Sequence, residues 1–350
     1  MSTGNTSRRR VLQSGAAIGA LALAGCMGDD DGNTVRMGTS AGGTMDVGLG
    51  FEQAVSDHGE DVEYSTVESP GYVGTTYRMN EGQVDGGIVD TNTMSKAMGS
   101  DDMFADDPVD TIPWQGFLAF PYSIYVVARE DTDIETFDDL AGASVYPAEP
   151  GYSTRATTLD VWSMPQVEDV YEEMDIVDMD VDDAPGAMEE GNIDAAIAYG
   201  TPGVGNTGFV VEYDARTDVR YVEHTDALVE AIEEYPGAGL SRYDDVEDDF
   251  NWDQDIGADE VASWDLEVTF TFHHDTPAEQ VYELTRIAHE HGDTARDAEP
   301  RFVPEDLDAM TSAAIDDYPW HPGAAEYYQD NDAWNDDWVV GDPDEAGNYN

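Results

Sequence analysis

Val35-Arg36-Met37-Gly38-Thr39-Ser40-Ala41-Gly42-Gly43-Thr44 opens the regular part of the chain. Val35 to Thr39 reads as a strand, the small residues after it as a tight turn, and Val47 to Val55 as a helix. The order repeats downstream: a strand over Val62–Val67, a helix over Val73–Met79 ending at Gly82, a short buried strand over Gly86–Val89, and a helix from about Thr93 to Met98. A β-α-β-α-β series predicts a mainly parallel sheet covered by helices.

A second α/β series begins at the strongest strand signal, Tyr122 to Ala128. Ile134–Leu140 reads as helical, Ala143–Tyr146 as a strand, Ser153–Met164 as a helix, Ile176–Met179 as a strand, Pro185–Glu190 as a helix and Ala195–Tyr199 as a strand. Asp226–Glu234 is a further helix, and Asp244–Asp255 a highly acidic connection. Leu266–Phe272 alternates as a strand, and helices follow near Ala278–His289, Pro304–Ile315 and Pro322–Gln329. Two α/β units joined near residues 120–130 and again near 262–275 predict a hinged two-lobed protein with a ligand cleft between lobes.

The N-terminal residues carry an address. Ser7-Arg8-Arg9-Arg10-Val11-Leu12 has the form of a twin-arginine export signal. The apolar run Val11–Leu23 is 13 residues, short of the roughly 20 that span a bilayer. Leu23-Ala24-Gly25-Cys26 resembles a lipobox and holds the one cysteine of 350 residues. The expectation is export, lipidation at Cys26, and a polar tether over Gly28–Asn33 on the outer face of the membrane.

The chain holds 77 Asp and Glu against 14 Lys and Arg. Three of those cations are Arg8, Arg9 and Arg10, so the remainder carries 77 acids against 11 bases, a net charge of −66. In molar salt the Debye length falls to about 3 Å, and most of the self-repulsion vanishes. The composition is that of a halophile, as in haloarchaea. It excludes nucleic acid as a partner. With 40% hydrophobic residues the chain is globular rather than disordered.

Two strand-to-helix turns are candidate binding loops. Thr39-Ser40-Ala41-Gly42-Gly43-Thr44 brings backbone N–H groups and a helix N-terminus to a ligand, and it is not a P-loop. Pro150-Gly151-Tyr152-Ser153-Thr154-Arg155 is the second. There Ser153 or Thr154 caps a helix or donates to a ligand oxygen. Arg155 pairs with a ligand carboxylate or with a surface acid. Asp90, Thr91 and Asn92 are expected to line the cleft. Metal is not expected. His289 and His291 splay on a helix, His273-His274 lacks further ligand spacing, and Asp249–Glu260 lacks the Gly and Glu of a calcium loop. No Gly-x-Ser-x-Gly elbow and no Cys–His pair marks an enzyme.

Several segments resemble the TAXI-type solute-binding proteins of TRAP transporters. These are Gly42-Gly43-Thr44, Glu81-Gly82-Gln83-Val84-Asp85-Gly86-Gly87-Ile88-Val89, Phe137-Asp138-Asp139-Leu140-Ala141-Gly142, Pro150-Gly151-Tyr152-Ser153-Thr154 and Glu190-Gly191-Asn192-Ile193-Asp194-Ala195-Ala196. The most specific is Trp320-His321-Pro322-Gly323-Ala324-Ala325-Glu326-Tyr327-Tyr328, like that family's His-Pro-Gly-Ala-x-x-Tyr-Tyr.

The resemblance implies a type II periplasmic-binding-protein-like α/β fold. Lobe 1 would take residues 34–125 plus 265–350, and lobe 2 residues 126–264. They follow a signal over 1–26 and a tether over 27–33. It implies a receptor without cofactor or catalysis that passes a small organic anion to membrane-embedded permease subunits. Glutamate or 2-oxoglutarate is the default ligand. Ligand residues would be Gly42, Gly43, Thr44, Asp90, Thr91, Asn92, Gly151, Tyr152, Ser153, Thr154 and Arg155. The chain departs from the family at Met45-Asp46-Val47 (usually Tyr-Tyr-Pro), Asp90-Thr91-Asn92 (usually Gln-x-Asp), Tyr152 and Ser153. Rival readings are a receptor for an ATP-driven importer, an exported enzyme and a surface lipoprotein.

Overall fold

The structure, a computed structural model, describes residues 33–101, 104–244, 246–304, 306–315 and 317–344. The export signal, the lipobox with Cys26 and most of the tether lie outside the described residues.

The first series forms as its pattern dictates: β1 (Thr34–Ser40), α1 (Gly43–His58), β2 (Glu63–Ser69), α2 (Gly71–Asn80), β3 (Gly86–Asp90) and α3 (Thr91–Gly99). Then β4 runs without a break over Trp114–Arg129. The second series is β5 (Ser144–Tyr146), α4 (Ser153–Trp162), α5 (Glu168–Glu173), β6 (Asp175–Ile176), α6 (Ala184–Glu189) and β7 (Ala195–Thr201). It continues with β8 (Gly205–Asn206), α7 (Gly208–Arg216), β9 (Val219–Tyr221), α8 (Asp226–Glu234), β10 (Gly239–Tyr243) and α9 (Val246–Phe250). The return is β11 (Val261–Phe272), followed by α10 (Ala278–Glu290), α11 (Gly292–Ala298), α12 (Leu307–Thr311) and α13 (Pro322–Asp330).

One sheet runs through the molecule in the order β2-β1-β3-β11-β4-β7-β5-β6. Its ends are parallel: β1 pairs with β2 and β3, and β5 with β6 and β7. Its middle is antiparallel, because β11 pairs with β3 and β4, and β4 with β7. Each half is a parallel trio, and β4 and β11 cross between them. Pairing of β11 with β4 shifts register at Val268/Thr269 and again at Phe270/Thr271. Such bulges bend and twist a strand pair, where the halves meet.

Each half has its own apolar cores. Val35, Phe51, Phe117, Phe270, Phe302 and Tyr328 belong to the first half. Trp162, Val145, Ile197, Leu228, Trp264 and Leu266 belong to the second. A further cluster of the second half buries Phe250, Trp252 and Ile256. The acidic connection near 244–255 is therefore pinned to the body. Trp252 Nε1 donates to the Tyr125 hydroxyl at 2.8 Å.

Three expected elements are cut to about half or less of their expected length. Ile134–Leu140 is only a 3-10 turn at Phe137–Leu140, set by the reciprocal Thr136–Asp139 cap. The strand near Ile176–Met179 stops at Ile176. The helix expected over Pro304–Ile315 is confined to Leu307–Thr311, with Asp306 as its cap.

Candidate functional site

The first loop enters α1 through Gly42, whose φ of 85° suits glycine. No side chain caps this helix, so its first N–H groups remain available. Thr44, at the second helical position, is buried and shares a hydrogen bond with the Tyr72 hydroxyl at 2.9 Å. Burial pushes the Tyr72 phenol well above its usual range, so it is a neutral donor.

The second loop enters α4 through Tyr152, again with no side-chain cap. Gly151 has φ 98°, and Ala148 just before it has φ 82° while fully buried. A non-glycine residue in that region is strained, and such strain persists only where surroundings enforce it. Arg155 supplies part of the enforcement. Its Nη1 donates to the Ala148 carbonyl at 2.8 Å, and its Nη2 to Asp178 at 2.6 Å. Arg155 thus pairs with a surface acid and braces the loop.

Thr154 is 4% exposed, and its Oγ1 finds no hydrogen-bond partner. It lies beside the Tyr199 hydroxyl, but no bond of acceptable geometry reaches it. A buried hydroxyl left unpaired costs about 1–3 kcal/mol. At the open end of a ten-residue helix, it is placed to take a ligand atom.

Aromatic side chains connect the two loops. Tyr199 meets Tyr122 edge to face at 5.4 Å. The Tyr122 hydroxyl lies beside the Arg301 guanidinium and 3.3 Å from where a Cβ on Gly43 would sit. Burial raises the Tyr122 and Tyr199 phenols above their ordinary values. The path Thr44–Tyr72 on one side and Arg301–Tyr122–Tyr199–Thr154 on the other spans both halves. Tyr72, Tyr122, Tyr199 and Arg301 were missed by sequence reasoning. Each sits in a strand, helix or loop whose local pattern carries no ligand signal, and only packing brings it to the turns.

Asp90, Thr91 and Asn92 are placed differently. Asp90 caps α3, accepting from the Thr93 N–H at 2.8 Å and the Thr93 hydroxyl at 2.7 Å. Burial raises its carboxyl above the usual range, against the pull of those bonds and of Lys96. Asn92 donates to Thr157 and Asp160 on α4 and accepts from the Tyr235 hydroxyl at 2.6 Å. Thr91 donates weakly to the Gly237 carbonyl at 3.4 Å. Lys96, the chain's one lysine, pairs with Asp160 at 2.7 Å. Thr91, Asn92 and Lys96 join α3 to the other half, and each Asp90 oxygen accepts one bond from Thr93 in the helix cap.

Two surface hollows lie among other residues: about 350 Å³ beside Glu60, Glu279 and Glu283, and about 460 Å³ beside Arg129, Arg216 and Arg220. The arginines of the second are paired with Asp131, Glu189 and Glu135. His321 is structural. Its Nδ1 accepts from the Gly323 N–H, and its Nε2 bonds the Thr276 carbonyl. Burial lowers its pKa to about 3. No described helix is long and apolar enough to cross a membrane.

A family model described as NMT1-like matches residues 37–331. Comparison with curated proteins gives no match. Among solved structures, the periplasmic aliphatic sulphonate binding protein SsuA from Escherichia coli is similar at 14% identity over 77% of this chain and 74% of its own, with TM-score 0.42. An ancestral arginine-binding protein bound to glutamine is similar at 12% identity over 78% of this chain and 99% of its own, with TM-score 0.41. The GluR0 ligand-binding core from Nostoc punctiforme, in complex with (L)-glutamate, is similar at 11% identity over 77% and 98%, with TM-score 0.39.

Proposed function

The chain belongs to the NMT1-like family, a solute-binding protein of a transport system with the periplasmic-binding-protein fold, and we propose that it captures a small organic anion for a TRAP-type permease. Residues 34–125 plus 265–350 form one lobe and 126–264 the other. The solute sits between the starts of α1 and α4. Cys26 carries the lipid that holds the protein at the outer face of the membrane. The excess of acids keeps the fold stable in molar salt.

The observation that carries the reading is Thr154. A buried, unpartnered hydroxyl at an open helix start gains a bond only when a solute arrives. Neutral tyrosines and backbone N–H groups supply the remaining donors, which suits an anion in a chain with few cations. Because the solute touches both lobes, it stabilises the form in which they meet.

The test is mass spectrometry of solute released from protein purified in high salt, followed by melting with that solute restored. A small carboxylate that raises Tm is the expected result. If no small molecule is retained and none raises Tm, the reading fails. A neighbouring gene for an ATPase in place of a many-helix permease would reassign the transporter class.

A further inference from the structure

Arg301 belongs to none of the sequence motifs, yet the fold delivers it to the site. Its segment is anchored by the next two residues. Phe302 is fully buried with its ring stacked 5.7 Å from Phe51, and the Val303 N–H donates to the Ala119 carbonyl at 3.1 Å. Arg301 is thereby laid over the N-terminal end of α1, where its guanidinium occupies the space a Cβ on Gly43 would need. The side chain remains 30% exposed.

Its donors are unequally used. Nε donates to Glu299 at 2.8 Å. On the Nη edge, Nη2 meets Asp46 Oδ2 only at 3.6 Å, beyond hydrogen-bond distance, and the neutral Tyr122 hydroxyl stands nearby. Burial works against the charge, but Glu299 and Tyr122 hold the pKa above its ordinary value. The guanidinium therefore stays charged beside the uncapped N-terminus of a 16-residue helix. The guanidinium and the helix start are both positive poles; Asp46 in the first turn and Glu299 offset part of that charge, and an anion between the poles is drawn by what remains.

We infer that Arg301 is the residue that selects a carboxylate solute, receiving it on the Nη edge together with Tyr122 and the open start of α1. This inference rests on the reading of the cleft as the solute site. Glu299 and Asp46 already neutralise part of the guanidinium charge, so the pole matches one carboxylate better than a doubly charged phosphate. The buried Thr154 hydroxyl lies at the other end of the Tyr122–Tyr199 row. The solute class is a short molecule with a carboxylate at one end and a polar group at the other.

Calorimetry in molar KCl tests this with L-glutamate, 2-oxoglutarate and inorganic phosphate as probes, on the parent chain, Arg301→Met, Arg301→Lys and Thr154→Val. The parent should bind at least one of the two carboxylates, and more tightly than phosphate. Arg301→Met should weaken that binding ten- to a hundredfold. Arg301→Lys should recover part of it, since an ammonium keeps the charge and loses the fork. Thr154→Val should cost about tenfold. Parental affinity in Arg301→Met with a loss in Thr154→Val would remove Arg301 from the site and keep the site. Parental affinity in both would overturn the site as well. A parent that binds neither carboxylate, or prefers phosphate, overturns the selection assigned to Arg301. If Arg301→Met does not fold, Arg301→Lys decides: folded with unchanged affinity and unchanged preference, it makes the residue structural.

Discussion

The starts of α1 and α4 occupy corresponding places in the two halves, yet they are built differently. The α1 start is smooth: a glycine at φ 85°, an uncapped helix and a threonine whose hydroxyl is already bonded to Tyr72. The α4 start is strained and unfinished, with Ala148 at φ 82°, Arg155 bracing the strained carbonyl and Thr154 buried without a partner. Cost is concentrated at one of the two helix starts. On the proposed reading of the site, a solute gains most where it relieves that cost, at the second half, while the first half presents a finished surface and, at Arg301, a charge.

The helices behind the loops provide the largest effect. Phe51 on α1 is fully buried against Tyr64, Phe117, Phe270 and Phe302, with centroids 5.0–5.7 Å apart. Phe51→Ala should cost about 3–5 kcal/mol, read from denaturant unfolding in high salt. Because β4 and β11 run through both halves, the loss should appear as one transition. Two separated transitions would show that the halves fold independently.

A smaller contrast separates two histidines whose ring nitrogens are buried. His321, in the first half, is bonded on both ring nitrogens. His224, in the second, has a partner on neither. Burial, reinforced by Arg242, lowers the His224 pKa to about 3. Its folded value lies below its unfolded one, near 6.5, so the unfolded chain binds the extra proton between those limits. Its contribution is complete above pH 6.5 and is lost as pH falls toward 3. His224→Phe should flatten the stability curve in that window by an amount on the order of a few kcal/mol. Parallel curves for parent and mutant would place His224 in a solvated setting.

The smallest effects test the loops themselves. Thr44→Ala breaks the bond to Tyr72 and should lower stability by about 1 kcal/mol. Thr154→Val removes an unpaired buried oxygen and should leave the solute-free protein equally stable or more stable. Both should weaken solute binding. Equal losses of stability in the two mutants would mean that Thr154 is satisfied in solution, and the contrast between the loops would disappear.

Legibility followed locality. Both glycine-rich turns, α8 at Asp226–Glu234 and the strands β1 and β3 could be read directly, because capping, periodicity and glycine act within a few residues. The full length of β4 could not. Gly116 and Pro121 punctuate Trp114–Arg129, and only pairing with β11 and β7 holds it extended. Helices α7 and α11 were missed for a related reason. They are only 9 and 7 residues long, too short to be stable alone, and contacts supply what propensity lacks.

Asp90 illustrates the limit at a single residue. Its position after a buried strand suited a cleft residue, and nothing local announced that both its oxygens accept from Thr93 at the start of α3. By itself the sequence determined the α/β class, the two-unit organisation, the acidic surface and the two helix starts, since each is a property of composition or of neighbours along the chain. Only the tertiary structure decided that Arg301, Tyr122, Tyr199 and Tyr72 complete those starts. They come together through sheet order and core packing, which couple residues hundreds of positions apart and leave no mark in any local stretch.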